Sequence, residues 1–325
     1  MADLAGSGSN SLGTVLITGG CGFIGTNLVK YLAGKADRIR ILDNLSVGKE
    51  ENLRQLQSQD SRLLAVDLVI GDIRNPSEVN QAVKGADAVI HLAAHTSVVD
   101  SLEKPAEDWE INVSGTFNVL EACRQNGVAR FILASSNAVI GEQPPPIDES
   151  KIPRPLSPYG AAKLTGEAFC SCYYHSFGLK TVSLRFANCY GPYSDHKTSV
   201  ITKFFKLVKE GKSLTIYGDG NQTRDFVHSS DIARALYLAL MADMAVYGDV
   251  FQVATGVETR LNELVGIIKE MASGNLQVIY EAERKGEIKR NYSDIAKARR
   301  VLGFEPTVEL RDGLRELWEL YIGKI

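Results

Sequence analysis

Cysteine is scarce and scattered. Cys21, Cys123, Cys170, Cys172 and Cys189 make an odd number with no C-x-x-C pair in 325 residues. A chain of this size can bury a core without a disulfide framework, so these thiols read as reduced, in a cytoplasmic setting. Long apolar runs are missing as well. No stretch approaches the ~20 residues that cross a bilayer. The opening MADLAGSGSNSLG lacks the cationic and apolar parts of a secretory leader, and residues 1–12 read as a disordered lead-in. No sign of charge dominates: 36 Lys and Arg face 39 Asp and Glu, a net charge of −3. Nucleic acid is therefore excluded as the main partner, because phosphate-backbone binding needs clustered excess cation. His91, His95, His175, His196 and His228 show no metal-ligand spacing, and no metal site is expected.

What is present is ordinary for a globular protein: 44% hydrophobic and 23% charged residues. The length suits one large α/β unit or two domains sharing a cleft. Short β-branched runs at 14–18, 39–43, 66–70, 88–91, 131–135 and 181–186 alternate with helical stretches near 23–33, 76–84, 105–126 and 158–177. Continuous apolar strands are buried on both faces, and strand–helix alternation predicts a doubly wound parallel sheet. After Gly191-Pro192 the loops become more polar and strands rarer.

The first strand runs into Thr18-Gly19-Gly20-Cys21-Gly22-Phe23-Ile24-Gly25. Its glycines permit a tight turn and close backbone approach to a pyrophosphate, which the following helix N-terminus would receive. Asp43 closes the second strand. A carboxylate there accepts both ribose hydroxyls of NAD and repels the additional phosphate of NADP. Further on, Tyr159 and Lys163 stand one turn apart on a helix, and Ser135-Ser136 ends the fifth strand at the edge where parallel sheets bind ligands.

With these residues the chain resembles the extended short-chain dehydrogenase/reductase superfamily, and within it the nucleotide-sugar epimerase/dehydratase group. The matching stretches are TGGCGFIG (18–25), DNLSVG (43–48), GDI (71–73), HLAA (91–94), SSNAVIG (135–141), SPYGAAK (157–163), RFANCYGP (185–192), YGDGNQTRDFVH (217–228), ERKGEIKR (283–290) and LGFEP (302–306). The resemblance, over roughly 13 to 320, implies an NAD-binding Rossmann domain at 13–190, to which 226–255 returns. A smaller C-terminal α/β domain, 191–225 and 256–325, would bind a UDP-sugar.

Carried over by position, Tyr159 would be the catalytic base, Lys163 the residue that tunes it, and Ser136 the hydroxyl sharing the sugar O4 proton. Gly19, Gly22, Phe23, Ile24, Gly25, Asp43, Asn44, Ser46, Gly48, Asp72, Ile73, Leu92, Ala93, Ala94, Thr96, Asn112 and Phe186, with Tyr159 and Lys163, would contact NAD. Ser97, Ser136, Asn137, Tyr159, Asn188, Val200, Arg224, Arg284, Glu287 and Asn291 would contact the substrate. The implied reaction is C4 epimerisation through a 4-keto sugar with NAD regenerated. Dehydratases of the group carry an Asp-Glu pair after the catalytic hydroxyl; here Asn137 and Ala138 stand there. Two further departures are Val139-Ile140-Gly141 in place of Val-Tyr-Gly, and Asn291 where some hexose-restricted epimerases have Tyr. A smaller Asn leaves room for an N-acetyl group, and its amide could bond one. The same Asn also fits a plain loop residue. A uronate remains open, with Lys197, Thr198 or Ser199 able to meet its carboxylate.

Cys170 and Cys172 read as helix packing, and Lys297, Arg299 and Arg300 as solvated. Arg284, Lys285, Lys289 and Arg290 form a basic cluster whose first member matches the diphosphate position. The superfamily pairs helices like 105–126 and 158–177 across a twofold axis, implying a homodimer through a four-helix bundle.

Overall fold

The structure, a computed structural model, describes residues 12–243, 246–272, 276–283 and 288–323. Most of the lead-in, and with it the expectation for Arg284, Lys285 and Glu287, lies outside those residues. From the N-terminus, β1 (Thr14–Thr18) leads through the glycine turn to α1 (Phe23–Leu32), β2 (Arg38–Asp43), α2 (Glu50–Gln59), β3 (Val66–Ile70), α3 (Pro76–Val83) and β4 (Ala88–His91). There follow α4 (Val98–Glu103), α5 (Pro105–Trp109), α6 (Gly115–Gln125), β5 (Arg130–Ser136), α7 (Pro158–Phe177) and β6 (Lys180–Phe186). The remainder comprises β7 (Asn188–Tyr190), α8 (Val200–Lys209), β8 (Leu214–Tyr217), β9 (Thr223–Arg224), β10 (Phe226–His228) and α9 (Ser229–Met241). Last come β11 (Asp249–Val253), β12 (Thr259–Arg260), α10 (Leu261–Met271), β13 (Val278–Glu281), α11 (Ala296–Leu302) and α12 (Leu310–Tyr321).

Seven strands form the central sheet in the order β11-β6-β5-β4-β1-β2-β3, every pair parallel. Alternation along the strands builds its two faces. Val15, Ile17, Ile39, Ile41, Ile90 and Ile132 face one core, while Leu16, Leu42, Val89, Phe131 and Leu133 face the other. Helices α1, α9 and α11 cover the first face; α3, α6 and α7 cover the second. A third core gathers Phe204, Phe205, Leu214, Ile216, Leu264, Ile268, Leu314 and Trp318 from α8, β8, α10 and α12. Among the described residues no helix is long and apolar enough to cross a membrane.

Two expectations need revision. The stretch 105–126 is not one regular helix: a π turn at Glu110–Ser114 separates α5 from α6. A single extra residue per turn leaves the apolar pattern almost unchanged, so periodicity does not register it. Lys297 is not simply solvated. Its ammonium donates to the Val250 carbonyl at 2.9 Å, pairs with Asp249 at 2.7 Å and lies 4.7 Å from the Phe251 ring centroid. It fastens α11 to the edge strand of the sheet.

Because all seven strands run the same way, Thr18, Asp43, His91 and Ser136 end on one edge. β1 has β2 on one side and β4 on the other, so the chain reverses its winding there and opens a crevice.

Candidate active site

The crevice begins with the glycine turn. Gly19 sits at φ +72°, and a Cβ there would lie 2.7 Å from the Ala93 amide nitrogen. At Gly25 a Cβ would meet the Gly19 carbonyl oxygen at 2.3 Å, so only glycine lets α1 lie this close to β1. Gly22 is the N-cap of α1 and offers no side chain, leaving the first N–H groups of Phe23, Ile24 and Gly25 for a ligand. These features make a cradle of the kind that receives a dinucleotide pyrophosphate.

Asp43 accepts from the Cys21 amide at 2.9 Å and the Leu45 amide at 2.8 Å. Burial raises its pKa, and the two amides oppose that rise. Each carboxylate oxygen keeps a second lone pair for a ribose hydroxyl. Gly48 approaches the same carboxylate closely. Asn44 donates to Asp72 at 2.8 Å and accepts from Ser46 N at 3.0 Å. Asp72 also pairs with Arg74, whose hydrogen bonds hold the carboxyl well below its ordinary range. Ile73 is buried against Gly115.

The loop after β4 is held from beneath. Thr18 Oγ1 and His91 Nδ1 lie 2.7 Å apart, and His91 Nε2 lies 3.0 Å from Thr116 Oγ1. Ala93 N donates to Thr18 Oγ1. His95 N donates to Asn112 Oδ1 at 2.9 Å, while Asn112 Nδ2 donates to the His95 carbonyl and to Asp108, both at 2.8 Å. The Asn112 amide is thus committed to shaping the loop that presents Leu92, Ala93 and Ala94. Thr96 accepts from Lys197 Nζ at 2.7 Å, and Ser97 caps α4.

His91 is fully buried, and burial first, then Lys163, pulls its pKa down to about 3. An unfolded His titrates near ~6.5. Between those values the unfolded chain holds the extra proton, so stability falls as pH drops through that window, by up to about 1.4 kcal/mol per pH unit. Urea midpoints against pH should show this slope in the wild type and a shallower one in His91→Gln. Identical profiles would contradict it.

Tyr159 and Lys163 follow Ser157, whose hydroxyl accepts from Gly160 N at 3.1 Å and starts α7, with Pro158 in the first turn. Both side chains are buried, as is Glu167 one turn further on. Ser136 ends β5 beside them. The Tyr159 phenol is pushed up to about 12 by burial, against a Ser136 hydrogen bond that pulls it down. Lys163 is pulled down to about 8 by burial, with Asp108 and Glu167 opposing. Sequence reasoning has the Lys163 cation tuning the Tyr159 phenol; in the protein alone burial sets the direction of the shift. The Lys163 ammonium stands 5.9 Å from the phenol ring centroid.

Phe186, ending β6, is buried near this edge. Asn188 begins β7 and donates to the Asp225 carbonyl at 3.0 Å through its backbone; Val200 begins α8. Arg224 donates to the Ile288 and Thr223 carbonyls, both at 2.8 Å. A cleft of about 320 Å³ is lined by Tyr217, Gly218, Asp219, Asn221, Gln222, Glu283, Lys289 and Arg290, and Phe186, Asn188, Val200 and Arg224 are not part of that lining. Asn291 N donates to Thr223 Oγ1 at 3.3 Å, and its side-chain oxygen is buried with no hydrogen-bond partner among the described residues.

Sequence reasoning passed over buried carboxylates, Asp225, Glu167 and Asp108 among them. Asp225 accepts from Thr255, Gly256 and Ser293, tying three segments together. Glu167 is paired with Arg185 at 2.7 Å and accepts from Ser135. Asp108 holds Asn112. Each is an isolated acidic letter in the sequence, and nothing but its burial marks it.

A glycine cradle at the switch point of a parallel sheet, with a Ser–Tyr–Lys set on the same edge, defines a protein of the extended short-chain dehydrogenase/reductase type. The model of the NAD dependent epimerase/dehydratase family matches residues 15–254, and the chain belongs to that family. It is 33% identical to a UDP-glucose 4-epimerase of Mycolicibacterium smegmatis over 95% of this chain and 98% of that one. A UDP-N-acetylglucosamine 4-epimerase of Methanobrevibacter ruminantium, solved with UDP-N-acetylmuramic acid, superposes with a TM-score of 0.89 at 34% identity, covering 96% of this chain and 99% of that one. The UDP-glucose 4-epimerase of Thermus thermophilus, solved with NAD, gives 0.85 at 34% identity, covering 96% and 100%. Cradle, Asp43 carboxylate and family agree on NAD as the cofactor.

Proposed function

We propose that this protein is an NAD-dependent C4 epimerase of a UDP-hexose, either UDP-glucose/galactose or UDP-N-acetylglucosamine/galactosamine. The observation that carries the reading is the buried Tyr159 phenol beside the half-buried Ser136 hydroxyl at the sheet edge, followed by Asn137 and Ala138, which offer no carboxylate for eliminating water. Tyr159 takes the proton from the sugar O4, and Ser136 shares it by hydrogen bonding. Lys163, cationic and held inside the protein, favours the phenolate. Bound NAD would supply a hydride acceptor that also gives the hydride back. The 4-keto sugar turns within the site, Tyr159 returns the proton to O4, and C4 is inverted with no net redox change. Incubation with a UDP-sugar should yield the 4-epimer without stoichiometric NADH. Reduced cofactor released mole for mole with product would point to a reductase instead.

One observation favours a second reading, a UDP-glucuronate 4-epimerase. Lys197 donates to Thr96 beside the cofactor loop, and its charge helps lower the Lys163 pKa, so a cation stands near the site to receive a carboxylate.

Asn291 bears on the choice of sugar. Its unpartnered amide oxygen supports a place on the sugar wall, where the smaller side chain leaves room for an acetamido group. Asn291→Tyr should lower kcat/KM about tenfold on UDP-N-acetylglucosamine and little on UDP-glucose, as expected from loss of one oriented contact and its space. Equal loss on both discards the gatekeeper role.

We also infer a homodimer through the faces of α4 to α7. Val99, Leu102, Trp109, Phe117 and Phe177 are exposed there, more apolar surface than solvent contact favours. Sedimentation should give a dimer at micromolar concentration, and a monomer would refute it.

A further inference from the structure

Residues 192–199, between β7 and α8, are tied to three elements that border the dinucleotide crevice. Asn27 of α1 donates through Nδ2 to the Pro192 carbonyl at 3.0 Å. Lys49, on the loop after β2, pairs with Asp195 at 2.7 Å. Lys197 donates to Thr96, on the loop after β4, at 2.7 Å. β2 and β4 flank β1 in the sheet, about 10 Å apart by two strand spacings. Asp195 and Lys197 stand two residues apart and are held on opposite sides of β1. The segment therefore bridges the two loops across the end of β1, where the glycine turn lies.

Both sides of the bridge are built to hold a fixed shape. Lys49 N donates to the Cys21 carbonyl at 3.1 Å, and a Cβ at Gly48 would meet the Cys21 Cβ at 2.9 Å, so the Lys49 backbone rests on the glycine turn itself. Ser194 Oγ donates to the Gly191 carbonyl at 2.7 Å, and Lys197 N to the Ser194 carbonyl at 2.9 Å, which folds the segment into a turn. Among the described residues, two that are not glycine have a left-handed backbone, Leu45 at φ +56° and Tyr193 at φ +67°. They lie on the two segments that Lys49 and Asp195 join. Strain of this kind gathers in ligand clamps and switch regions, because surrounding contacts must hold it.

We propose that residues 192–199 form a clasp across the NAD site and that Lys49 and Asp195 are its latch. They are positioning residues: they keep the cofactor from leaving without touching the reacting atoms. The latch sits on the side of Asp43, so it closes the half of the crevice that holds the adenosine ribose. A half-exposed ion pair contributes little by itself. Here it fastens a segment already pinned on the α1 and β4 sides, and parting it frees one whole edge of the clasp. The inference rests on NAD as the cofactor and not on the reaction assigned to the sugar.

Exchange of bound NAD tests this directly. Holoenzyme is mixed with excess isotopically labelled NAD, and the bound nucleotide is followed over time by mass spectrometry. Lys49→Ala and Asp195→Ala should exchange NAD about fivefold faster than wild type, the upper scale of a half-exposed ion pair. Lys49→Arg and the charge swap Lys49→Asp/Asp195→Lys should stay within about twofold of wild type, since each keeps an ion pair across the gap. Arg299→Ala, which removes an exposed pair with Glu305 on α11, should leave the rate unchanged. Acceleration below about threefold in the two alanine variants would overturn the clasp. So would equal acceleration in Arg299→Ala, a charge swap as fast as the alanine variants, or wild-type NAD that exchanges within the mixing time. No sugar is present in the measurement, so failure of the epimerase reading leaves its result standing.

Discussion

Tyr159→Phe should cut turnover by about a thousandfold while leaving the cofactor in place. The substitution removes one oxygen from a buried ring, and phenylalanine fills the same space at the start of α7. The acid–base contribution of a positioned side chain is typically about 10²–10⁴-fold, and here the phenol is the group assigned to both halves of the reaction. Burial pushes it up to about 12, so the phenolate depends on Ser136, Lys163 and the charge of bound cofactor to become accessible. Epimer formation measures the loss, and extraction of bound nucleotide measures what remains of the cofactor. A variant that kept most of its turnover would remove Tyr159 from the role of base.

The second large effect is on stability. Arg185→Met should destabilise the protein by about 3–5 kcal/mol, the usual penalty for leaving one member of a buried pair without its partner. Arg185 donates to Glu167 at 2.9 and 2.7 Å, and both side chains lie inside the protein between α7 and β6. With the guanidinium gone, the Glu167 carboxylate keeps, among the described residues, the Ser135 hydroxyl as its hydrogen-bond donor. The double variant Glu167→Leu/Arg185→Met removes both charges and should recover most of the loss. Urea denaturation of the single and double variants decides it. Equal destabilisation in both would show that packing around the pair matters and its charge does not. Since Ser135 adjoins Ser136, and Glu167 stands one turn after Lys163, the single variant should also lose turnover per folded molecule.

Much of the sheet was readable because β1, β4 and β5 are buried on both faces and carry continuous apolar runs, while β2 and β6 keep short β-branched runs between polar residues. The glycine turn was readable for a related reason: its spacing answers to close contacts that no other residue permits. Helix α2 was not read. Only Leu53 and Leu56 are buried in it, so it shows little of an apolar stripe. β8 and β13 also escaped, since Leu214 pairs with Val278 across a long interval of sequence. The proximity of Ser136, Tyr159 and Lys163 was legible from spacing and placement together. The bonds of the Asn112 amide to His95 and Asp108 were not readable, since they join residues that only the fold brings together. Asp225 was invisible because its importance arises from two distant segments converging on its carboxylate, which no local pattern encodes.

The most direct test of the account is proton NMR of the purified protein mixed separately with UDP-glucose, UDP-N-acetylglucosamine and UDP-glucuronate, with no NAD added. The H4 coupling pattern distinguishes an equatorial from an axial hydroxyl at C4. The 4-epimer of at least one of UDP-glucose and UDP-N-acetylglucosamine should grow to a constant ratio, without net reduction of cofactor. No epimer from either of these two sugars, in protein shown to carry NAD, would contradict that reading, and an epimer from UDP-glucuronate alone would favour the uronate reading in its place.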